Sequence, residues 1–319
     1  MKLKNPNNND TLVGIFLPEV KHEEFLNECF YSLAMQDKPV DVLVMYDSLS
    51  ENELELLSSI LKEPVIKYKK KNEENPEQID DITDSAGNSL NYSLEKVCVK
   101  NFADVFNIVF QTAIENNYNK ISIIEPEDVV SRKWLEVVDV YAAENPEVAI
   151  FTPIIKHMVG GSFSGFLNEA CWAESMAEEA GKYDNNLLLR FNFIVHPLGA
   201  VYMLDRLLKE DGVFEKRDEL LFPMKSGIKI FNYYEFFLRT VYNDLKVMNV
   251  PRIGYEMRVL RKEKYDPTSA KIPHNLTAMP EHSGGISQDE AQFWAKYATD
   301  AYFMEDDEKD IKYEPSSGN

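Results

Sequence analysis

ISIIEPEDVVSRKWLEVV, residues 121–138, carries a short apolar run into three carboxylates and then into a segment led by a tryptophan. Apolar runs of four to eight residues bounded by turn-formers read as strands covered on both faces of a sheet. Glu125, Glu127 and Asp128 then stand directly past the carboxyl end of a strand, the edge at which open α/β sheets bind their ligands. Two carboxylates one residue apart suit a hard divalent cation that also holds a diphosphate. The same spacing has a structural reading, in which a helix beginning near Ser131 favours acids at its entry and Pro126 shapes the turn. Both readings stand at this point.

Working towards the N-terminus, NFADVFNIVFQTAIENN places Phe102, Val105, Phe106, Val109, Phe110 and Ala113 on one face of a helix that feeds this strand. LVGIFL, residues 12–17 and ended by Pro18, predicts a buried strand; HEEFLNECFYSLAMQ predicts an amphipathic helix; VDVLVMYD predicts a second strand ending in Tyr46 and Asp47. Ser50 and Glu53 form a capping-box pair for a helix through Leu61. VIKY, 65–68, is a candidate third strand. The KKKNEENPEQIDDITDSAGNSLNY that follows has neither period and predicts an exposed loop, with KYKKK a solvated strand end answered by acids.

Towards the C-terminus, VAIFTPII (148–155) is a further strand, HMVGGSFSGF predicts a flexible glycine turn at Gly160, Gly161 and Gly165, and a helix is expected around 167–180. Strands alternating with helices give the fold class: α/β, a mostly parallel sheet flanked by helices. After about residue 185 the alternation loosens into an α+β second half containing GAVYML, the helical YYEFFLRTVYNDL and RIGYEMRVLRK. The expected organisation is a polar N-terminal arm over 1–10, a main domain over 11–260 with halves meeting near 155, and a C-terminal extension over 261–319. That extension holds a helix at about 286–304, with Phe293, Trp294, Tyr297 and Tyr302 at mainly helical spacing, and the acidic tail EDDEKDIKYEPSSGN.

Composition excludes several classes. The 319 residues carry 34 Lys and Arg against 54 Asp and Glu, a formal charge of -20, and such a field repels nucleic-acid backbones and anionic lipid. Cys29, Cys98 and Cys171 are odd in number and lack CxxC spacing, so neither a disulfide framework nor a zinc site is expected. MKLKNPNNND has no apolar core of a signal peptide, and no run approaches the ~20 apolar residues of a membrane span. The expected location is the cytoplasm, or a particle assembled there. His274 and His282 are metal-ligand candidates by position alone, and a lone loop histidine is more often solvated.

The ordered landmarks Pro18, Ser32, Leu33, Gln36, Pro39, Asp47 and Ser48 resemble the opening of family-2 glycosyltransferases of the GT-A fold. The run from Asn101 to Val138 is similar to that family's asparagine-containing helix, strand, Asp-x-Asp-Asp and Trp-Leu-Glu sequence. Asn107 falls on the helix asparagine, and Glu125, Glu127 and Asp128 fall on the acidic motif. GAVYMLDRLL resembles the acceptor-side strand, and NYYEFFLRTVYNDLKVMNVP the family's Glu-Asp-containing helix with its Arg, here Arg239.

The resemblance implies a nucleotide-diphospho-sugar fold over residues 11–260. Asp47 would hold the nucleoside, Asn107 and Arg239 would lie on the nucleotide side, and Glu125, Glu127 and Asp128 would hold Mn²⁺ or Mg²⁺, with an unknown acceptor against the second half. Two departures stand out: Glu replaces Asp at both metal positions, and Tyr233 occupies the position of the base aspartate. A tyrosine titrating near ~10 is a poor base at neutral pH. Glu235, two residues on, points roughly 200° away around a helix. The expectation is a glycosyltransferase-like protein with a partly degenerate site. The alternative is a non-catalytic structural or adaptor component of a larger assembly, such as a virus particle, with no cofactor and with protein partners engaged through the C-terminal helix and tail.

Overall fold

The computed structural model describes residues 9–71, 79–87, 89–99, 102–168, 197–208, 236, 237, 240 and 245–259. Its first half follows the expected alternation: β1 (Thr11–Leu17), α1 (Glu23–Ala34), β2 (Asp41–Tyr46) and α2 (Glu51–Lys62). The Ser50 and Glu53 capping box forms as its spacing predicts, with the Glu53 amide donating to Ser50 Oγ and the Ser50 amide donating to Glu53.

The next segment differs from expectation. Residues 65–68, a candidate strand in the sequence, open β3 (Val65–Lys71); residues read as an exposed loop complete it and form its antiparallel partner β4 (Ile79–Ser85), and β5 (Asn91–Lys96) then joins the main sheet beside β2. The backbone ladder runs from Val65 opposite Ser85 to Lys71 opposite Ile79, so the hairpin forms without an apolar period.

The chain continues through α3 (Phe102–Glu115), β6 (Lys120–Ile124), β7 (Val129–Val130), α4 (Trp134–Glu144), β8 (Val148–Val159), β9 (Ser162–Leu167), β10 (Val201–Met203), α5 (Leu204–Leu207) and β11 (Lys246–Val259). The main sheet runs β5-β2-β1-β6-β10-β8-β11-β7, with β9 paired to β8. β5, β2, β1 and β6 are mutually parallel, as are β8 and β11, while β10 enters antiparallel between β6 and β8. The glycine turn is a tight hairpin joining β8 and β9, with Gly160 and Gly161 at φ +55 and +77, the left-handed values that a two-residue hairpin requires. The helix expected around 167–180, the helix at 286–304 and the acidic tail lie outside the described residues. Phe236 and Phe237 are helical, as YYEFFLRTVYNDL predicts, and Phe236 packs edge-on against Phe110 and Tyr202.

The core sits between this sheet and its helices, with α3 laid so closely on β1 that a Cβ at Gly14 would fall 2.2 Å from Val109 Cγ2. The most consequential irregularity is in β11. A register shift between Val250 and Ile253 spans Pro251, which has no amide to give to the ladder, and a second follows between Ile253 and Tyr255. The bulged strand then reaches across to pair with β7, with Tyr255 opposite Val130 and Glu256 opposite Val129.

Candidate functional site

The parallel strands β1, β2, β5 and β6 end at one edge of the sheet. Leu17 pairs with Tyr46 and Ile15 with Ile124, so Asp47 leaves β2 level with Pro18, and Glu125 leaves β6 level with Phe16. With neighbouring strands ~4.8 Å apart, Asp47 and Glu125 stand roughly 12 Å from each other across the end of β1. Asp47 is exposed. Asn107 is half-buried in the second turn of α3, and that helix begins at the same edge because it starts just after the end of β5. Arg239, Tyr233 and Glu235 lie outside the described residues.

The three acids of the 125–128 turn have different environments. Glu125 keeps an exposed face, yet it is crowded enough that desolvation, and then the Glu127 charge, raise its carboxyl above the usual range. Glu127 is half-buried and is also raised, by desolvation first; His22 and Lys21 pull it down and Glu19 pushes it up. These groups show that the β1–α1 loop, residues 18–22, lies beside Glu127. Asp128 is fully buried. Its Oδ2 accepts the Tyr255 hydroxyl at 2.5 Å and its Oδ1 accepts the Arg258 amide at 2.7 Å. Burial, followed by the charge of Glu125, pushes Asp128 well up despite both bonds.

Tyr255 is the keystone of this turn. It donates to Asp128 and accepts the Glu125 amide at 3.1 Å, so one hydroxyl ties both ends of the acidic motif. Beneath it, the Cys29 thiol contacts the Glu125 carbonyl at 3.6 Å, and burial, then Asp128, raises that thiol far above its usual value. Ser32 Oγ accepts the Val130 amide at 3.1 Å, and Gln36 Nε2 donates to the carbonyls of Ser32 and Ser131 at 3.0 and 2.9 Å. These bonds give Ser32 and Gln36 a concrete task, which is holding the exit of the turn against α1.

Two glycines let aromatic rings close over the turn. A Cβ at Gly254 would meet the Trp134 ring at 2.5 Å, and one at Gly199, where φ is +72, would meet the Tyr255 ring at 2.7 Å. Trp134 Nε1 then donates to the Gly199 carbonyl at 2.8 Å.

The helix-entry reading of the acids is overturned. Strand β7 intervenes and α4 starts only at Trp134, so Glu127 and Asp128 lie outside its first turn, where the dipole would act. Among the described residues, no group of three or more His, Cys, Asp or Glu side chains is arranged to hold a metal ion. Both Asp128 oxygens are engaged by β11, whereas Glu125 is exposed and Glu127 half-buried just past the end of β6. Residues the sequence did not single out are Tyr255 and Arg258, which bind Asp128, and Lys96, exposed at the end of β5 beside Tyr46. Only the Tyr and Arg within RIGYEMRVLRK signalled the first two, and their partners lie 127 and 130 residues away.

No protein-family model matches the sequence, and no curated protein matches it. Solved structures do resemble its fold, among them two of one protein. S. aureus TarS residues 1–349 matches with TM-score 0.50 and 15% identity, over 78% of this chain and 60% of that one. The same protein in complex with UDP matches with TM-score 0.50 and 13% identity, over 89% and 78%. The chain therefore spans less than two thirds of the first of these structures. TarS is a GT-A-type family-2 glycosyltransferase, and at this identity the likeness establishes the fold: a GT-A-like α/β architecture.

Proposed function

We propose that this GT-A-like chain is a glycosyltransferase-like protein that binds a nucleotide-diphospho-sugar at the carboxyl edge of β1, β2 and β6. The observation that carries the reading is the meeting of Asp47, Glu125 and Glu127 at one sheet edge, beside the loop that brings Lys21 and His22 to Glu127. UDP in one of the matching TarS structures supports the choice of ligand class.

In this reading Asp47 accepts hydrogen bonds from the nucleoside, with Asn107 and Arg239 on the nucleotide side. Glu125 and Glu127 are the carboxylates that would hold Mn²⁺ or Mg²⁺, with diphosphate oxygens as further ligands; Asp128 supports the turn from behind. A bound divalent ion would supply charge neutralisation for the diphosphate. Lys21, close to Glu127, and the exposed Lys96 bring positive charge to this edge, which a net charge of -20 otherwise denies to an anionic donor.

A second reading is favoured by one observation, the sealing of Asp128 behind Tyr255 and Arg258, which leaves two acids where the resemblance implies three. Combined with Tyr233 at the base position, it describes a non-catalytic protein that keeps the fold and serves as a structural or adaptor component of a larger assembly.

The deciding experiment is a thermal melt of the full chain with UDP, crossed with Mn²⁺. A ligand that binds only the folded state at a hundredfold excess over its dissociation constant adds ~2.7 kcal/mol. The donor-site reading expects a metal-dependent rise in melting temperature that Glu127→Ala abolishes. No rise with any uridine or guanosine diphosphate, with or without metal, rejects it in favour of the structural role. A rise without sugar release from the conjugates identifies a binding protein that does not transfer.

A further inference from the structure

A separate cavity of about 530 Å³ opens between α1, the β3 end of the charged hairpin, β7 and β11. None of Asp47, Glu125 and Glu127 lines it. Its apolar surface comes from Met35 at the end of α1, Ile66 of β3, and Val129 and Val130 of β7. The volume lies in the ~300–1,000 Å³ range of small-molecule sites, which pair an apolar lining with a few placed polar groups.

The polar groups are unevenly committed. Arg258 is paired with Glu28 and Glu256, and Tyr31 donates its hydroxyl to Asp84 at 3.0 Å. Arg132 uses only Nε, on Asp37 at 2.9 Å, which leaves its terminal guanidinium nitrogens for another acceptor. Lys67 is exposed and takes part in none of the ion pairs among the described residues. The lining side chains carry three positive charges, on Lys67, Arg132 and Arg258, against one negative charge, on Glu28. Asp37 answers Arg132, and Glu28 and Glu256 answer Arg258, so Lys67 is the cation of this lining that no carboxylate answers among the described residues.

We infer that this cavity is a second ligand site, for a small organic anion whose flat apolar body fills the space between Met35, Ile66 and Val129 and whose carboxylate or phosphate meets Lys67 and Arg132. The charge complementarity selects the anion, and the apolar lining selects against inorganic phosphate alone. A guanidinium with free in-plane donors and an unpaired ammonium make a two-point anchor for such a headgroup. The inference does not rest on the donor-site reading, because none of Asp47, Glu125 and Glu127 takes part in it.

The test uses 1-naphthoate as the probe, with 1-naphthylmethanol as its neutral counterpart, titrated into the full chain while backbone amide resonances are followed by NMR. The expected result is saturable shifts at Val129 and Val130, with naphthoate bound more tightly than the alcohol. Lys67→Glu, a change at an exposed residue, should weaken naphthoate about tenfold, equivalent to about 1.4 kcal/mol, and leave the alcohol unchanged. Met35→Trp, which fills the cavity, should remove the binding of both. Equal affinity for acid and alcohol, an unchanged naphthoate affinity in Lys67→Glu, or shifts centred on the exposed Phe163 and Phe166 instead would each overturn the assignment.

Discussion

Replacing Tyr255 with Phe removes one oxygen and keeps the ring packed on Gly199. That oxygen makes two bonds, to Asp128 Oδ2 at 2.5 Å and from the Glu125 amide at 3.1 Å. Each buried partner left unsatisfied costs ~1–3 kcal/mol, the carboxylate more than the amide, so the expected loss at neutral pH is about 3 kcal/mol. At roughly 2–4 °C per kcal/mol for a chain of this size, the melting temperature should fall by about 6–12 °C.

The loss should also depend on pH, with a definite sign. Burial, then Glu125, hold the Asp128 carboxyl above its ordinary value, and the Tyr255 bond pulls in the opposite direction, so deleting the hydroxyl raises that carboxyl further. A group raised on folding contributes stability that is present below its unfolded value, ~3.9 for Asp, and is lost as pH rises through the folded value. In Tyr255→Phe that loss continues to higher pH, and the difference between the two proteins therefore widens from pH 5 to pH 8. Urea unfolding followed by tryptophan fluorescence at the two pH values measures it. A loss under about 1 kcal/mol, or the same loss at both, refutes the account of Tyr255 as the tie across the acidic turn.

Gly254→Ala places a methyl 2.5 Å from the Trp134 ring, with Pro153 2.9 Å away, and overpacking of this kind costs ~1–3 kcal/mol; a midpoint in urea equal to the parent's would contradict the contact. Arg206→Ala removes a guanidinium that donates to the carbonyls of Ala142 and Asn145 at the end of α4 and of Val148 at the start of β8, and leaves those acceptors without it. A destabilisation of about 2–3 kcal/mol is expected, with faster amide exchange in the last turn of α4; unchanged exchange there would show that the cap is unimportant.

What could be read from the sequence was what local periodicity encodes. β1, β2 and β6 are apolar runs, and α1 and α3 repeat their apolar residues every three or four positions, so their order alone specified a parallel α/β sheet. VIKY marked the start of β3, but the rest of the β3–β4 hairpin was missed because residues 69–85 carry no apolar period and their pairing exists only once the register is known. The acidic turn was legible as a ligand-edge candidate, but the distinct fate of Asp128 was not. Adjacent acids at the end of a strand look alike in sequence, and only the bulged β11, arriving from more than a hundred residues away, turns one of them inward.

The bulge at Pro251 also has a consequence for how the chain is made. β1, β2, β5 and β6 all lie before residue 125 and can pair while the ribosome is still extending the chain. The acidic turn cannot be sealed at that stage, because its tie is residue 255. Until β11 emerges, Asp128 has neither of its protein donors, and Trp134 lacks the Gly254 surface on which it packs. Vectorial synthesis therefore completes the sheet edge before the brace behind it, and a nascent chain stopped short of residue 255 should expose its acidic turn to solvent and to proteases, whereas one extended past residue 259 should not.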